Sequence, residues 1–271
     1  MPNGHMVSSP ARNGRAASVR VIKLGGRTQR DPRLASILAG IVNSGERVVI
    51  VHGGGDQISE LQRQAGREPQ FIQGRRVTTQ EDLELIRMVL SGSTNKELVA
   101  SLVSAGVRAV GLSGEDGALL SGPRAFDGTL GEVGTPEHVD PSLLLLLLDH
   151  GYTPVVSPVA RHADSGGALN VNGDDAAAAL AVALGAAELT FVADVAGVLE
   201  PTGELIPELS AARAELLIEA GTATGGMIAK LQAAQPALAG GVRCVRIVGL
   251  DLLAEPNGGT ILRPAGFAHA Q

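Results

Sequence analysis

Two lysines far apart in the sequence are the residues most suited to chemistry on a phosphate. Lys23 ends an apolar run in VIKLGG, and Lys230 follows a glycine pair in TGGMIAK. A lysine in a buried strand needs an anionic partner, and a phosphate at the end of the strand would supply one. Gly225 and Gly226 would open a helix whose N-terminus favours an anion. Alternatively, Lys23 reaches solvent from an edge strand and Lys230 is a solvated helix lysine.

A cluster of asparagines and aspartates, LNVNGDD, directly precedes an alanine-rich helical pattern. Asn170 and Asn172 are candidates for binding the polar groups of a substrate, and Asp174 is a candidate for positioning the two lysines. Asp174 or Asp175 could instead be only the N-cap of the helix, since aspartate is a preferred capping residue.

Two adjacent arginines, Arg75 and Arg76, lie in QGRRVT, which we predict to be a loop before a helix. A guanidinium group binds a carboxylate through two parallel hydrogen bonds. One arginine of the pair is therefore a candidate for binding a carboxylate substrate, and the other is expected at the surface.

Glycines end two of the predicted strands. VIKLGG finishes with Gly25 and Gly26, and VVIVHGGG finishes with Gly53, Gly54 and Gly55. Successive glycines expose backbone N–H groups that can surround an anion, although each group could also be a tight strand-to-helix turn. Neither matches G-x-x-x-x-G-K-[ST] or G-x-G-x-x-G, so the P-loop and dinucleotide fingerprints are absent.

The elements that must position these residues alternate along the chain. Apolar runs such as SVRVIKL and RVVIV are separated by helical patterns such as LASILAGIV. Alternating strands and helices predict an α/β fold, a three-layer αβα sandwich whose central, mainly parallel sheet is covered on both faces. Ligands of such sheets bind beyond the carboxyl ends of the strands, where both glycine groups lie. GPRAFDGTLGEVG interrupts the alternation and is predicted to be a hairpin or loop insert.

Composition narrows the classes of partner. The 271 residues carry a net charge of −6 and only 2% aromatic residues, which disfavours nucleic-acid binding. The apolar run LLLLLL is far shorter than the roughly 20 residues of a membrane span.

The single cysteine, Cys244, fits the reducing cytoplasm and is interpreted as a packing residue. Residues 1–18 are predicted to be a disordered tail without a signal peptide.

Nine short motifs together resemble the amino acid kinase family, and within it the branch that phosphorylates N-acetylglutamate. They occur in the family's order between residues 19 and 263, and GRRVT and NK narrow the resemblance to this branch. The motifs are KLGG, VIVHGGG, GRRVT, STNKELV, GLSGEDG, LGEVG, NVNGDDAA, DVAGVL and GGMIAK.

The resemblance implies transfer of the γ-phosphoryl group of ATP to the side-chain carboxylate of N-acetyl-L-glutamate in arginine biosynthesis. It implies that Lys23 and Lys230 stabilise charge, that Asp174 orients both, and that Mg²⁺ is held by the ATP phosphates. The implied substrate-binding residues are Gly54, Gly55, Arg76 and Asn170. The implied phosphate-binding backbone groups are those of Gly25, Gly26 and Gly53. The implied nucleotide-binding residues are Asp194, Val195, Gly197, Val198, Leu199, Gly226 and Met227.

The resemblance also implies one domain, residues 19–271, with an acyl-substrate lobe at 19–165 and a nucleotide lobe at 166–271. Family members that form hexamers carry an extra N-terminal helix, and residues 1–18 lack the apolar periodicity for one. We therefore expect a cytoplasmic homodimer without strong inhibition by arginine.

A carboxylate acceptor is already ionised at neutral pH, so phosphoryl transfer to it needs no general base, and His52 is assigned a structural role. Two alternatives remain: a kinase acting on aminoadipate or glutamate attached to a carrier protein, and a non-catalytic sensor of nucleotide or amino acid. Gly173, Asp175 and Asp56 depart from the family pattern. Asp175 could repel nucleotide phosphates or help to hold Mg²⁺.

Overall fold

Fifteen strands and eight α-helices follow one another along the chain in a computed structural model that describes residues 18–72 and 74–264. The tail expected at residues 1–18 lies, but for its last residue, outside the described residues. The strands are β1 (Val19–Leu24), β2 (Arg47–His52), β3 (Phe71–Ile72), β4 (Arg75–Arg76), β5 (Ala109–Ser113), β6 (Leu120–Gly122), β7 (Val133–Gly134), β8 (His138–Val139), β9 (Thr153–Ser157), β10 (Val159–His162), β11 (Ala168–Val171), β12 (Glu188–Ala193), β13 (Glu208–Ser210), β14 (Cys244–Gly249) and β15 (Thr260–Arg263).

The helices vary in length from two to four turns, and a π-helical segment, Met88–Thr94, joins the third to the fourth. The helices are α1 (Leu34–Asn43), α2 (Gly55–Gln64), α3 (Gln80–Arg87), α4 (Asn95–Ser104), α5 (Ser142–Asp149), α6 (Gly173–Ala183), α7 (Ala211–Glu219) and α8 (Gly226–Ala239). No helix among the described residues is long and apolar enough to cross a membrane.

Eight strands form the central sheet in the order β13-β15-β14-β12-β1-β2-β9-β5. Every neighbouring pair is parallel except β14 and β15, which run antiparallel. The predicted α/β class and mainly parallel sheet are confirmed. Because β1, β2 and β12 are adjacent and parallel, their carboxyl ends lie at one edge of the sheet.

The two faces of the sheet pack against different helices because side chains alternate along each strand. Val19 and Val21 of β1 pack in a core that includes residues of α5, α6, α7 and α8. Ile22 and Leu24 pack in a second core, which includes residues of α1 and α4. The same alternation places Lys23 on the face of β1 that α6 covers.

Two smaller sheets flank the central one. Five short strands form the order β7-β11-β10-β6-β8, and β3 pairs with β4 in a two-stranded hairpin. The segment 122–134, predicted as a hairpin or loop insert, connects the end of β6 to β7 through a turn in which Phe126 and Asp127 have positive φ. QGRRVT was predicted to be a loop. Instead Arg75 and Arg76 pair with Ile72 and Phe71, and they form strand β4.

Candidate active site

The carboxyl end of β1, the first turn of α6 and the second turn of α8 meet at one carboxylate. The Lys23 Nζ atom lies 2.7 Å from Asp174 Oδ1, and the Lys230 Nζ atom lies 3.5 Å from Asp174 Oδ2. The Lys230 ammonium group is also 3.5 Å from the carbonyl oxygen of Gly226. The structure therefore brings together the three residues from which the sequence predicted charge stabilisation, and neither lysine is solvated freely.

The Asp174 carboxylate is available to the lysines because another residue caps its helix. The Asn172 side-chain oxygen accepts hydrogen bonds from the backbone N–H groups of Asp174, at 2.8 Å, and of Asp175, at 3.3 Å. Asn172 is thus the N-cap of α6, a position that favours asparagine. The alternative in which Asp174 or Asp175 serves only as the cap is wrong.

The three charged groups are buried together, and this environment shifts the pKa values of Asp174 and Lys230. Asp174 is only 4% exposed, and burial alone would raise its pKa; the charges of Lys23 and Lys230 outweigh burial and hold the pKa of Asp174 below its usual value. Burial lowers the pKa of Lys230, and the charge of Lys23 lowers it further, against the opposing effect of Asp174. Two cations and one anion leave a net positive charge at the site, which favours an incoming anion.

A helix N-terminus adds to this positive field. Gly225 precedes α8 with φ of 51° and ψ of −125°, a left-handed conformation that a side chain would strain. α8 then starts at Gly226, and no side chain caps its first N–H groups. The Met227 N–H group donates to the Thr224 carbonyl oxygen at 3.0 Å, and the helix dipole favours a phosphate beside Lys230.

The glycines after β1 and β2 allow the backbone to approach its neighbours closely. A Cβ atom on Gly54 would lie 2.6 Å from Leu90 Cδ2, and one on Gly173 would lie 3.1 Å from Lys23 Cε. A Cβ atom on Gly25 would lie 3.2 Å from the carbonyl oxygen of Val192. Gly55, by contrast, is exposed and begins α2, and a Cβ atom on it would lie more than 4 Å from every atom outside its own stretch of helix.

A cavity of about 160 Å³ adjoins the glycines that follow β2. Its walls include all four residues predicted to bind the acyl substrate, namely Gly54, Gly55, Arg76 and Asn170. Gly53 and Gly173, the neighbour of Asp174, line it too. The predicted acceptor site and the lysine–aspartate cluster are therefore contiguous.

Arg76 and Asn170 are fixed by hydrogen bonds within the protein. The Arg76 Nη2 atom donates to the Gly55 carbonyl oxygen at 2.9 Å and to Ser59 Oγ at 2.8 Å, and Nη1 donates to Gln62 Oε1. Burial lowers the pKa of Arg76, and Asp82 opposes that shift. The Asn170 Nδ2 atom donates to Thr78 Oγ1 at 3.0 Å. Sequence reasoning did not identify these partners because no local pattern connects them.

The residues predicted to bind nucleotide fall into two groups. Asp194 and Val195 line a cavity of about 500 Å³ at the ends of β12 and β14, where the Arg27 Nε atom lies 2.9 Å from Asp194 Oδ2. Gly226 and Met227 lie in the first turn of α8. The negative charge of Asp194 raises the pKa of Lys230, so the residues after β12 interact electrostatically with those of α8.

The remaining three predicted nucleotide residues differ in exposure. Leu199 is 36% exposed, whereas Val198 is buried and its N–H group donates to Thr260 Oγ1 at 2.8 Å. A Cβ atom on Gly197 would lie 2.7 Å from the same Oγ1 atom. Gly197 and Val198 therefore support the loop after β12 through backbone packing.

His52 occupies the core beside the glycine turn. Its Nδ1 atom lies 2.9 Å from the Gly53 carbonyl oxygen, and its Nε2 atom lies 3.0 Å from Asn95 Nδ2. These partners fit the tautomer with hydrogen on Nδ1, which donates to Gly53 while Nε2 accepts from Asn95. Burial lowers the pKa of His52 to about 4, so the ring is neutral at pH 7. This arrangement agrees with a structural role.

Metal ligands are not grouped in the part of the chain that the structure describes. Within residues 18–72 and 74–264, no three His, Cys, Asp or Glu side chains are placed so that they could hold a metal ion. Asp56, one of the unusual acids, lies in the first turn of α2. Its Oδ2 atom would be 3.9 Å from a Cβ atom on Gly26.

Comparison with known proteins identifies the family. Residues 18–249 match the amino acid kinase family. The chain belongs to this family. It is 42% identical over 246 residues to acetylglutamate kinase of Chloroflexus aggregans, covering 90% of this chain and 96% of that relative. The resemblance to the amino acid kinase family inferred from the nine motifs is confirmed.

Solved structures agree with the fold. The chain superposes on smu.665 from Streptococcus mutans with a TM-score of 0.82 and 29% identity, covering 90% of this chain and 98% of that one. It superposes on N-acetylglutamate synthase from Neisseria gonorrhoeae, solved with coenzyme A and N-acetyl-glutamate, with a TM-score of 0.79 and 27% identity. That match covers 91% of this chain and 59% of the synthase chain.

Proposed function

We propose that this protein is an acetylglutamate kinase, which transfers the γ-phosphoryl group of ATP to the side-chain carboxylate of N-acetyl-L-glutamate in arginine biosynthesis. The observation that carries the proposal is the contact of one buried carboxylate, Asp174, with both Lys23 and Lys230. The relative of that name, 42% identical over nearly its whole length, supports the choice of acceptor.

The cluster suits the demands of phosphoryl transfer. The transferred group carries charge on its equatorial oxygens, and catalysis consists mainly of positioning and of neutralising that charge. Lys23 and Lys230 provide the two cations, and Asp174 fixes both ammonium groups before the substrates arrive. A fixed arrangement of charge needs no reorganisation during the reaction. The acceptor carboxylate is ionised near neutral pH, so no residue has to remove a proton from it.

The acyl substrate is assigned to the 160 Å³ cavity. Arg76 would bind the α-carboxylate, Asn170 would bind polar groups of the same molecule, and the N–H groups of Gly54 and Gly55 would face the transferred phosphoryl group. The backbone of Gly25, Gly26 and Gly53 would complete the phosphate site.

The nucleotide is assigned to the carboxyl end of β12 and the first turn of α8. Asp194, Val195, Gly197, Val198, Leu199, Gly226 and Met227 would border it. We assign Mg²⁺ to the ATP phosphates, where it would neutralise charge. On this assignment residues 19–165 form the acyl-substrate lobe and residues 166–271 the nucleotide lobe of one domain, and the protein works as a cytoplasmic homodimer.

A coupled assay of ADP release tests the proposal. The purified protein is supplied with Mg²⁺ and ATP together with N-acetylglutamate, free glutamate or aminoadipate, and we expect turnover only with N-acetylglutamate. Turnover restricted to a carrier-linked amino acid would replace the proposal with the carrier-dependent kinase. Absence of turnover with every acceptor, despite measurable nucleotide binding, would indicate a sensor.

A further inference from the structure

A second ion pair lies directly beside the lysine–aspartate cluster, and the proposed reaction does not use it. Arg75 Nη1 contacts Asp175 Oδ2, and the two side chains are each 26% exposed. Asp175 follows Asp174 in the first turn of α6, where the Asn172 cap holds its backbone N–H group. Arg75 belongs to strand β4, one hundred residues earlier in the chain. The pair thus connects the β3–β4 hairpin to the helix that carries Asp174.

The hairpin forms one wall of the proposed acyl-substrate cavity. Phe71, Gly74, Arg75 and Arg76 line that cavity. Burial of apolar surface contributes little to holding the hairpin in place, because Phe71 is 54% exposed and Ile72 is 52% exposed. The polar contacts of Arg75 and Arg76 are therefore important for holding the hairpin in position.

The two arginines attach the hairpin to two different helices. Arg76 donates to the Gly55 carbonyl oxygen and to Ser59 Oγ, which fastens one side to α2. Arg75 contacts Asp175, which fastens the other side to α6. Its guanidinium group is also stacked on the ring of Phe126, with 5.5 Å between Cζ and the ring centroid.

Arg75 also borders both the acyl-substrate cavity and a larger open one. Arg75 and Asp175 both line a cavity of about 960 Å³ beside α6 and α8, and Arg75 lines the acyl-substrate cavity as well. If the pair were broken, this contact between the hairpin and α6 would be lost. The Asp175 carboxylate is paired with the Arg75 guanidinium group, and this ion pair accounts for the position of the Asp175 side chain.

We propose that Arg75 and Asp175 are positioning residues whose ion pair holds the β3–β4 hairpin against α6, and so keeps Arg76 in the acyl-substrate cavity. The adjacent arginines thus have separate tasks, since Arg76 contacts the substrate and Arg75 holds the hairpin. The identity of that substrate rests on the proposed function. The attachment of the hairpin by Arg75 and Asp175 does not.

Steady-state kinetics of Asp175→Asn and Arg75→Gln test the assignment. An ion pair as exposed as this one contributes little to stability, so both variants should fold. Each is expected to raise KM for N-acetylglutamate on the order of fivefold, with kcat and the KM for ATP changed less than about twofold. The charge-swapped double variant Arg75→Asp/Asp175→Arg should recover most of the lost affinity. Arg124→Gln is the matched control, because Arg124 pairs with Glu132 at the surface outside both cavities.

Hydrogen exchange of the free protein supplies a readout that does not depend on activity. Amides of residues 70–72 and 74–77 should exchange several-fold faster in Asp175→Asn than in the wild type, and they should be unchanged in Arg124→Gln. Unchanged exchange in Asp175→Asn would overturn the proposal, as would a charge-swapped variant whose KM for N-acetylglutamate stays at or above that of the single variants. If Asp175→Asn raised the KM for ATP and left the KM for N-acetylglutamate unchanged, Asp175 would act on the nucleotide. If the wild type fails to phosphorylate N-acetylglutamate, the proposed function falls, and hydrogen exchange still decides the role of the ion pair.

Discussion

At the scale of single residues, the central feature is a carboxylate shared by two ammonium groups. Asp174 has two oxygens, and each contacts a different lysine. Taking three charges out of water is costly and contributes little to stability unless the geometry is good. A functional role for the net positive charge therefore explains this arrangement better than a contribution to the stability of the fold does. The proposed use is to neutralise a phosphoryl group in transit.

The chain contains only three lysines, and they provide a test of this interpretation. Lys23→Met and Lys230→Met should each lower kcat for N-acetylglutamate phosphorylation by about 10²–10³-fold, the cost of losing one preorganised charged donor. The third lysine, Lys96, is exposed and contacts the Gly111 carbonyl oxygen. Lys96→Met should change kcat less than about threefold. Comparable losses in all three variants would mean that general charge, and not the cluster, supports turnover.

At the scale of elements, His52 connects the glycine turn after β2 to helix α4. The ring contacts the Gly53 carbonyl oxygen on one side and Asn95 on the other. Asn95 also donates to the Val155 carbonyl oxygen at 2.9 Å, which adds β9 to the same network. The neutral ring is required here, because an imidazolium cannot accept a hydrogen bond from the Asn95 amide group.

This network predicts a specific pH dependence of stability. The pKa of His52 is about 4 in the folded protein, below the usual 6.5, so the unfolded chain binds more protons between these values. Stability should therefore rise with pH through this window and fall on acidification, by about 2 kcal/mol between pH 7 and pH 5 from this residue alone. Urea unfolding at both pH values should show that the stability difference between the wild type and His52→Asn shrinks by about that amount. A difference that does not depend on pH would contradict the assigned pKa.

At the scale of the whole molecule, the fold could be predicted from local patterns and much of the site could not. The central sheet follows from alternating apolar strands and amphipathic helices, which are visible in short windows of sequence. The five-stranded sheet includes β7 and β8, each only two residues long, which is too short to show an alternating pattern. The Arg75–Asp175 pair joins distant residues, so no local signal predicted it. The sequence does not single out Asn172 as the cap of α6, because Asp174 and Asp175 follow it and aspartate is an equally preferred capping residue.

The site joins both halves of the chain, which predicts how ligands stabilise the molecule. Lys23 comes from the half that contains residues 19–165, whereas Asp174 and Lys230 come from residues 166–271. A ligand present at about 100 times its Kd adds about 2.7 kcal/mol to the free energy of unfolding. For a chain of this size that stabilisation raises Tm by about 5–10 °C.

Mg²⁺-ADP and N-acetylglutamate together allow no turnover, so thermal unfolding in their presence measures binding alone. We expect the pair to raise Tm by more than either ligand separately, because the proposed sites of both ligands adjoin Asp174, which contacts lysines from both halves of the chain. Free glutamate in place of N-acetylglutamate is the control and should add nothing to the shift given by Mg²⁺-ADP. An equal shift with free glutamate would place the acceptor specificity elsewhere. If neither N-acetylglutamate nor free glutamate raised Tm, the 160 Å³ cavity would not be a binding site for the acceptor.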